Sequence, residues 1–291
     1  MAPVHRPALL PLVLVFATGL AMPQLARAQG LTVFSAAYLG ANSTTSVMIG
    51  AEVNGLVPTT LGSNGRPREI DVRMTADAPT REERAVTVAL ADAATLDRAA
   101  RDGIRVLVRM TLPPGRHTVR VDVRDNASGG DNAAASVVHT IDVPNLVDGP
   151  ITMSDLAITS STVGGVTQSE VEEDGSLPIL ARPPTGRRQF SRGERVEVNA
   201  EIYGAVSSVV PDDEPNSFQI ATTLYAAGGT VVHETVEDGT SELLENGEYG
   251  FRHYTLVPIA SLPPGTYVVR VAAMWNGVIS AFRSVPITVT D

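Results

Sequence analysis

Leu112–Val121 reads LPPGRHTVRV, and Leu262–Val271 reads LPPGTYVVRV. Leu112 and Leu262 stand 150 residues apart, so whole modules repeat rather than a short solenoid unit. In each copy the paired prolines, which have no N–H to donate, end the preceding strand. Pro114-Gly115 and Pro264-Gly265 suit the centre of a type II turn, whose second position needs φ > 0. A period-two pattern follows. Val119, Val121 and Val123 share one face, with Arg120, Asp122 and Arg124 on the other. In the second copy Tyr267, Val269, Val271, Ala273 and Trp275 form the inward set, and Arg270 occupies the place of Arg120. Such strands are half-buried and antiparallel. Tyr267 stands where β-sandwiches place a tyrosine corner, whereas His117 takes that place in the first copy.

Outward from these turns the chain is a succession of short alternating strands. In the first module they are Thr45–Val53, Glu69–Met74, Ala85–Leu90, Ile104–Met110 and Ser136–Val143. Ala91–Asp102 is the one helical stretch, with Asp92 as its cap and Gly103 as its stop. The second module repeats the recipe with Arg195–Tyr203, Phe218–Ala226, Thr230–Val236, Phe251–Val257 and Val278–Thr290, and Gly228-Gly229 makes a hairpin turn. Spacing of this kind predicts an all-β chain of two immunoglobulin- or fibronectin-III-like antiparallel sandwiches. The expected division is 29–146 for the first sandwich, 147–189 for a linker with one edge strand (Ile151–Thr159), and 190–291 for the second. Ser160–Ser176 is Gly/Ser/Thr-rich and then acidic, which suits a flexible connection.

Residues 1–28 read as a signal peptide. Ala8–Leu20 is an apolar run, and Ala26-Arg27-Ala28 supplies small residues for cleavage between Ala28 and Gln29. The run is too short to span a bilayer, and no later stretch is apolar enough. The chain has no cysteine, which excludes disulfides and a lipid-modified cysteine anchor. The expected location is therefore the periplasm or the extracellular space. Every basic residue is arginine. The formal charge is −10, and removal of Arg6 and Arg27 with the leader takes it to −12. An acidic chain without a basic cluster argues against nucleic acid and anionic membrane surfaces as partners.

Four pieces, Leu112–Asp125, Ile141–Leu146, Ile151–Ile158 and Arg188–Phe190, carry a family resemblance. They resemble the C-terminal half of secreted VWFA-related proteins of acidobacterial type. That half has a PG turn, an RVxVRD strand, a VPxL exit, a serine-containing LxxSxLxI-like segment, and an RxF that opens a second sandwich. The likeness spans most of 31–291, but the sequence contains no D-x-S-x-S motif of the von Willebrand A domain itself. The resemblance implies an accessory, non-catalytic pair of sandwiches and no metal-dependent adhesion.

Chemistry is sparse. His117, His139, His233 and His253 lie in different strands, with no H-E-x-x-H and no cysteine partner, and read as structural histidines rather than zinc ligands. There is no G-x-S-x-G elbow. The nearest cation candidates are Asp212, Asp213 and Glu214, or Asp125 with Asp131, whose hard oxygens suit calcium although acidic loops are commonly just solvated. No cofactor is expected. Trp275, the only tryptophan, follows the inward parity of its strand and reads as core rather than as a sugar platform. Three functional readings stand: a non-catalytic structural or interaction protein with an unknown protein or envelope partner; a module binding envelope polysaccharide or a partner peptide, by strand addition at an edge; or an enzyme with an unrecognised site.

Overall fold

The computed structural model describes residues 26–28, 30–55, 67–77, 81–126, 135–149, 151–170, 180, 182–204, 217–244, 249–275 and 277–291. In chain order the strands of the first half are β1 (Ala26–Ala28), β2 (Leu31–Leu39), β3 (Thr45–Val53), β4 (Arg68–Ala76), β5 (Glu82–Leu90), β6 (Ile104–Thr111), β7 (Gly115–Asp125) and β8 (Ala135–Val143). Those of the second half are β9 (Ile151–Met153), β10 (Ala157–Ser160), β11 (Val166–Glu170), β12 (Gln189–Ser191), β13 (Val196–Gly204), β14 (Ser217–Ala226), β15 (Val231–Thr240), β16 (Glu242–Leu243), β17 (Tyr249–Val257), β18 (Gly265–Trp275) and β19 (Val278–Thr290). The chain is all-β, built as two sandwich modules.

In the first module the sheet β1-β2-β3-β6-β11 faces the sheet β5-β4-β7-β8. In the second, β10-β13-β17-β16, with β9 also on β13, faces β12-β19-β18-β14-β15. The repeat seen in sequence is thus a repeat of topology, since β5-β4-β7-β8 and β15-β14-β18-β19 have the same order around the two LPPG strands. Alternation places Val119, Val121 and Val123 in one core, and Tyr267, Val269, Val271 and Ala273 in the other. Trp275 is half-buried and packs against the second core after a bulge at Ala273/Met274. Two edge pairs, β11 with β6 and β12 with β19, are parallel rather than antiparallel.

The helix α1 (Ala93–Asp102) forms where its signals lie. The Asp92 carboxylate accepts the Thr95 N–H at 2.7 Å, and Gly103 ends the helix at φ 83°. Gly228 and Gly229 both have positive φ (85° and 83°) in the three-residue loop closed by the Ala226 N–H to Thr230 carbonyl and Gly229 N–H to Ala226 carbonyl bonds.

The LPPG turns differ from the expectation at one point. Gly115 has φ 131°, but Gly265 lies outside the left-handed region and enters β18 as the partner of Val289. What the copies share is a bond. The Tyr267 hydroxyl donates to the Pro263 carbonyl at 2.8 Å, and His117 Nε2 reaches the Pro113 carbonyl at 2.7 Å. A carbonyl only accepts, so His117 must carry its proton on Nε2 and does the work of a corner tyrosine. Tyr267→Phe keeps the buried ring and loses the bond, so it is expected to destabilise the protein by about 1 kcal/mol in urea unfolding.

The segment 147–189 contributes to both sandwiches. Ile151–Thr159 is split into β9 and β10, which pair with opposite ends of β13. The chain then crosses back, and Val166–Glu170, within the stretch expected to be flexible, pairs with β6. Ala26–Ala28 pairs with Val33–Leu31 of β2 as β1, on the N-terminal side of the expected cleavage position; Gln29 lies outside the described residues.

Candidate functional site

Strand β3 is buried along its full length. Val47, Ile49, Ala51 and Val53 face the first core, and the other face is buried as well, with Met48 in a cluster of Phe34, Ala36, Tyr38 and Leu107. Across that outer face β2, β3 and β6 set Thr32 beside Glu52 and Arg105, Phe34 beside Gly50 and Leu107, and Ala36 beside Met48 and Arg109. Gly50 lets the Phe34 ring lie flat across the sheet, because a Cβ there would sit 2.1 Å from the ring.

Polar bonds fasten the two modules along this seam. Arg105 donates from Nε and Nη2 to Glu52 Oε1 at 3.1 and 3.0 Å, and the Thr185 hydroxyl donates to the same oxygen at 2.6 Å. Arg105 and Glu52 are only 6% and 8% exposed. Farther along, the Tyr203 hydroxyl accepts the Leu39 N–H at 3.0 Å and donates to Glu201 Oε2 at 2.7 Å. Burial and the neighbouring Glu201 carboxylate push the Tyr203 phenol well above its ordinary value, so it stays a donor. Asp155 bridges the same way: its carboxylate accepts the Ala37 N–H at 3.0 Å and Arg283 Nε at 3.3 Å. Burial pushes the Asp155 carboxyl up, against the lowering pull of Arg283 and the Ala37 N–H. Leu39, Leu146, Tyr203 and Leu244 close this end as an apolar cluster.

At the other end the seam opens into a cleft of about 520 Å³ lined by Thr32, Glu52, Asn54, Arg187, Gln189, Ser191, Glu194 and Thr290. Glu194 is saturated: it accepts from Ser160 (2.6 Å), Thr162 (2.5 Å), the Ser191 N–H (2.9 Å) and the Arg187 guanidinium. Burial raises the Glu194 carboxyl, but these bonds outweigh it and hold the group below its ordinary value.

The second notable surface is the far edge of the second sandwich. Among the described residues β15 pairs only with β14, and β17 beyond Gly250 pairs only with β13. Both sheets therefore end on one side. Val231, Val232 and Val236 (54%) are exposed on β15, and Tyr254 (72%) and Leu256 are exposed on β17. Glu234, Glu237 and Asp238 make the β15 edge acidic.

The histidines are placed by the cores. His139 spans the two sheets of the first sandwich, with Nε2 3.1 Å from the Ser35 hydroxyl and Nδ1 buried without a partner. Burial pushes the imidazole down to about 4. His253 does the same in the second sandwich, with Nε2 2.9 Å from Thr222 Oγ1 and Nδ1 2.5 Å from Glu237 Oε1. Burial lowers the His253 value, while Glu237 pulls it up. Hydroxyl, imidazole and carboxylate stand in the order of a nucleophilic triad, which the positions of these residues in sequence do not disclose. Thr222 and His253 are 5% and 3% exposed, however, so this hydroxyl meets core side chains rather than a substrate. It is a clamp between sheets.

Of the residues singled out in sequence, Asp212, Asp213, Glu214, Asp131 and Gln29 lie outside the described residues. Asp125 pairs with Arg68 at 3.6 Å. Arg120 pairs with Asp122 at 3.0 Å, and Arg270 lies over the Phe282 ring at 4.3 Å. Among the described residues no three histidine or acidic side chains gather as a metal site, and no helix is long and apolar enough to cross a membrane.

No family model matches the chain, and no curated protein does. Solved structures that match along most of this chain include a β-glucuronidase 2 from Bacteroides uniformis (13% identity, TM-score 0.30, covering 86% of this chain and 26% of that one). Another is a glycosyl hydrolase family 2 member from Bacteroides cellulosilyticus (10%, 0.30, 86% and 28%). A third is red sea bream transglutaminase (12%, 0.23, 91% and 32%). The chain thus spans about a third or less of these proteins.

Proposed function

We propose that this chain is a non-catalytic, exported interaction protein that holds the open edge of its second sandwich rigid for an extended segment of a partner protein. The observation that carries this reading is the β15 edge, ten residues long and exposed on both faces apart from His233 and Gly239, beside the unpaired edge of β17. An edge strand offers a row of backbone donors and acceptors to a passing chain. Val231, Val232 and Val236 supply apolar contacts, and Glu234, Glu237 and Asp238 favour a segment that alternates basic with apolar residues. The seam supports the same reading, because a buried polar interface fixes the presenting sandwich against the first. Export rests on the leader-like residues 1–28, and the accessory role agrees with the resemblance to the sandwich half of VWFA-related proteins.

Site-specific photo-crosslinking in the producing cells tests the proposal, with a photoreactive residue at Val236 and a control at the equally exposed Val138 of the first sandwich. A discrete adduct from position 236 that is absent from 138, and that weakens when Val232 becomes lysine, is the expected result. Equal labelling from both positions, or none from 236, would sink it.

A further inference from the structure

The cleft at the end of the seam lies beside β12, the edge of its sheet opposite β15, so it is independent of the strand-addition edge. Its lining is polar, and its volume of about 520 Å³ falls among small-molecule clefts, which favour junctions between modules. Glu52 is the distinctive group. Its side chain is 11% exposed, and its Oε1 is fixed by Arg105 and Thr185. Oε2 has no hydrogen-bond partner among the described residues, on a side chain that lines the cleft. That oxygen is not enclosed by protein atoms, so it stands at the cleft wall as an acceptor for whatever enters. Around it, the side chains of Thr32, Gln189 and Ser191 make no hydrogen bond among the described residues. Both walls contribute: Thr32, Glu52 and Asn54 come from the first sandwich, the others from the second.

The charges decide the ligand class. Glu52 is already matched by Arg105, and Glu194 by Arg187. A cleft whose carboxylates are neutralised has little attraction for a free cation or anion. It still offers a strong acceptor, Glu52 Oε2, among hydroxyl and amide groups that both give and take hydrogen bonds. Adjacent hydroxyls on one rigid ring match that array. We propose that the cleft binds a neutral polyhydroxylated ligand, a saccharide unit, with Glu52 Oε2 accepting from its hydroxyls and Gln189, Ser191 and Thr32 completing the contacts.

Saturation-transfer difference NMR and calorimetry on the purified protein, with cellobiose, maltose and N,N′-diacetylchitobiose as probes, test this directly. At least one disaccharide is expected to bind saturably. Its affinity should fall tenfold or more in Gln189→Ala/Ser191→Ala, and also in Thr32→Val on the opposite wall, with the thermal midpoint unchanged. The proposal is overturned if none of the three binds, if binding survives both variants, or if calcium chloride alone binds in a manner that these variants abolish.

Discussion

Replacing Arg105 with methionine is expected to destabilise the protein by about 3–5 kcal/mol, because it leaves the Glu52 carboxylate buried with no counter-charge. Arg105 spends two of its donors on Glu52 Oε1, and neither side chain has more than a sliver of surface in contact with water. The desolvation of Glu52 is then met only by the Thr185 hydroxyl. Changing both partners, as Glu52→Gln/Arg105→Met, removes the charge as well as its match and should recover much of the loss. The cycle is read by urea unfolding. Thr185 belongs to the segment that runs between the modules, so Arg105→Met should also speed proteolytic cutting within 182–188. Equal losses in the single and double variants would mean that the pair contributes through packing rather than charge.

The second large effect is a loss of stability as pH falls from about 6.5 to 4, carried by His139. Above pH 6.5 the imidazole is neutral in both the folded and unfolded chain, and its contribution is fully present. Below that, the unfolded chain takes up a proton which the folded chain refuses until about pH 4. Each pH unit in that window then removes about 1.4 kcal/mol, or about 3 kcal/mol over the whole window. The cause is burial: Nδ1 has no partner, and Nε2 has only the Ser35 hydroxyl. His253 is lowered as well and adds in the same direction, tempered by the Glu237 carboxylate at its Nδ1. Unfolding free energies of the wild type and of His139→Gln, compared across pH 4–7, isolate the effect. The difference should shrink by close to one proton's worth per pH unit as the pH falls. A constant difference would show that His139 titrates alike in both states.

Much of this architecture is legible in the sequence because its signals are local. Proline and glycine act through their own φ and N–H, so the LPPG turns, the Gly228-Gly229 hairpin and the Asp92-to-Gly103 limits of the helix are readable from a few residues each. Period-two alternation names the inward valines of β7 and β18 without knowledge of what they face. The corner bond is half-legible. A tyrosine at 267 is a familiar signal, but that His117 makes the same bond to Pro113 depends on where Nε2 comes to rest.

What alternation cannot express is burial of the second face. Ser46, Met48, Gly50 and Glu52 read as the solvent side of a half-buried strand, yet every one of them is buried. Glu52 and Arg105 are typical surface residues in sequence, and they pair in the interior only because residues 53 apart meet on neighbouring strands and Thr185 closes over them. The same holds for the Thr222–His253–Glu237 clamp and for Val166–Glu170, whose polar composition reads as linker until β6 offers it an edge. Sequence alone determined the strands, the turns between them and which valines form the two cores, because each of these depends on residues close along the chain. Tertiary structure alone decided how the sandwiches are joined, which polar side chains were drawn inside and where a cleft opened, because these follow from contacts between distant segments that leave no periodic trace in either one.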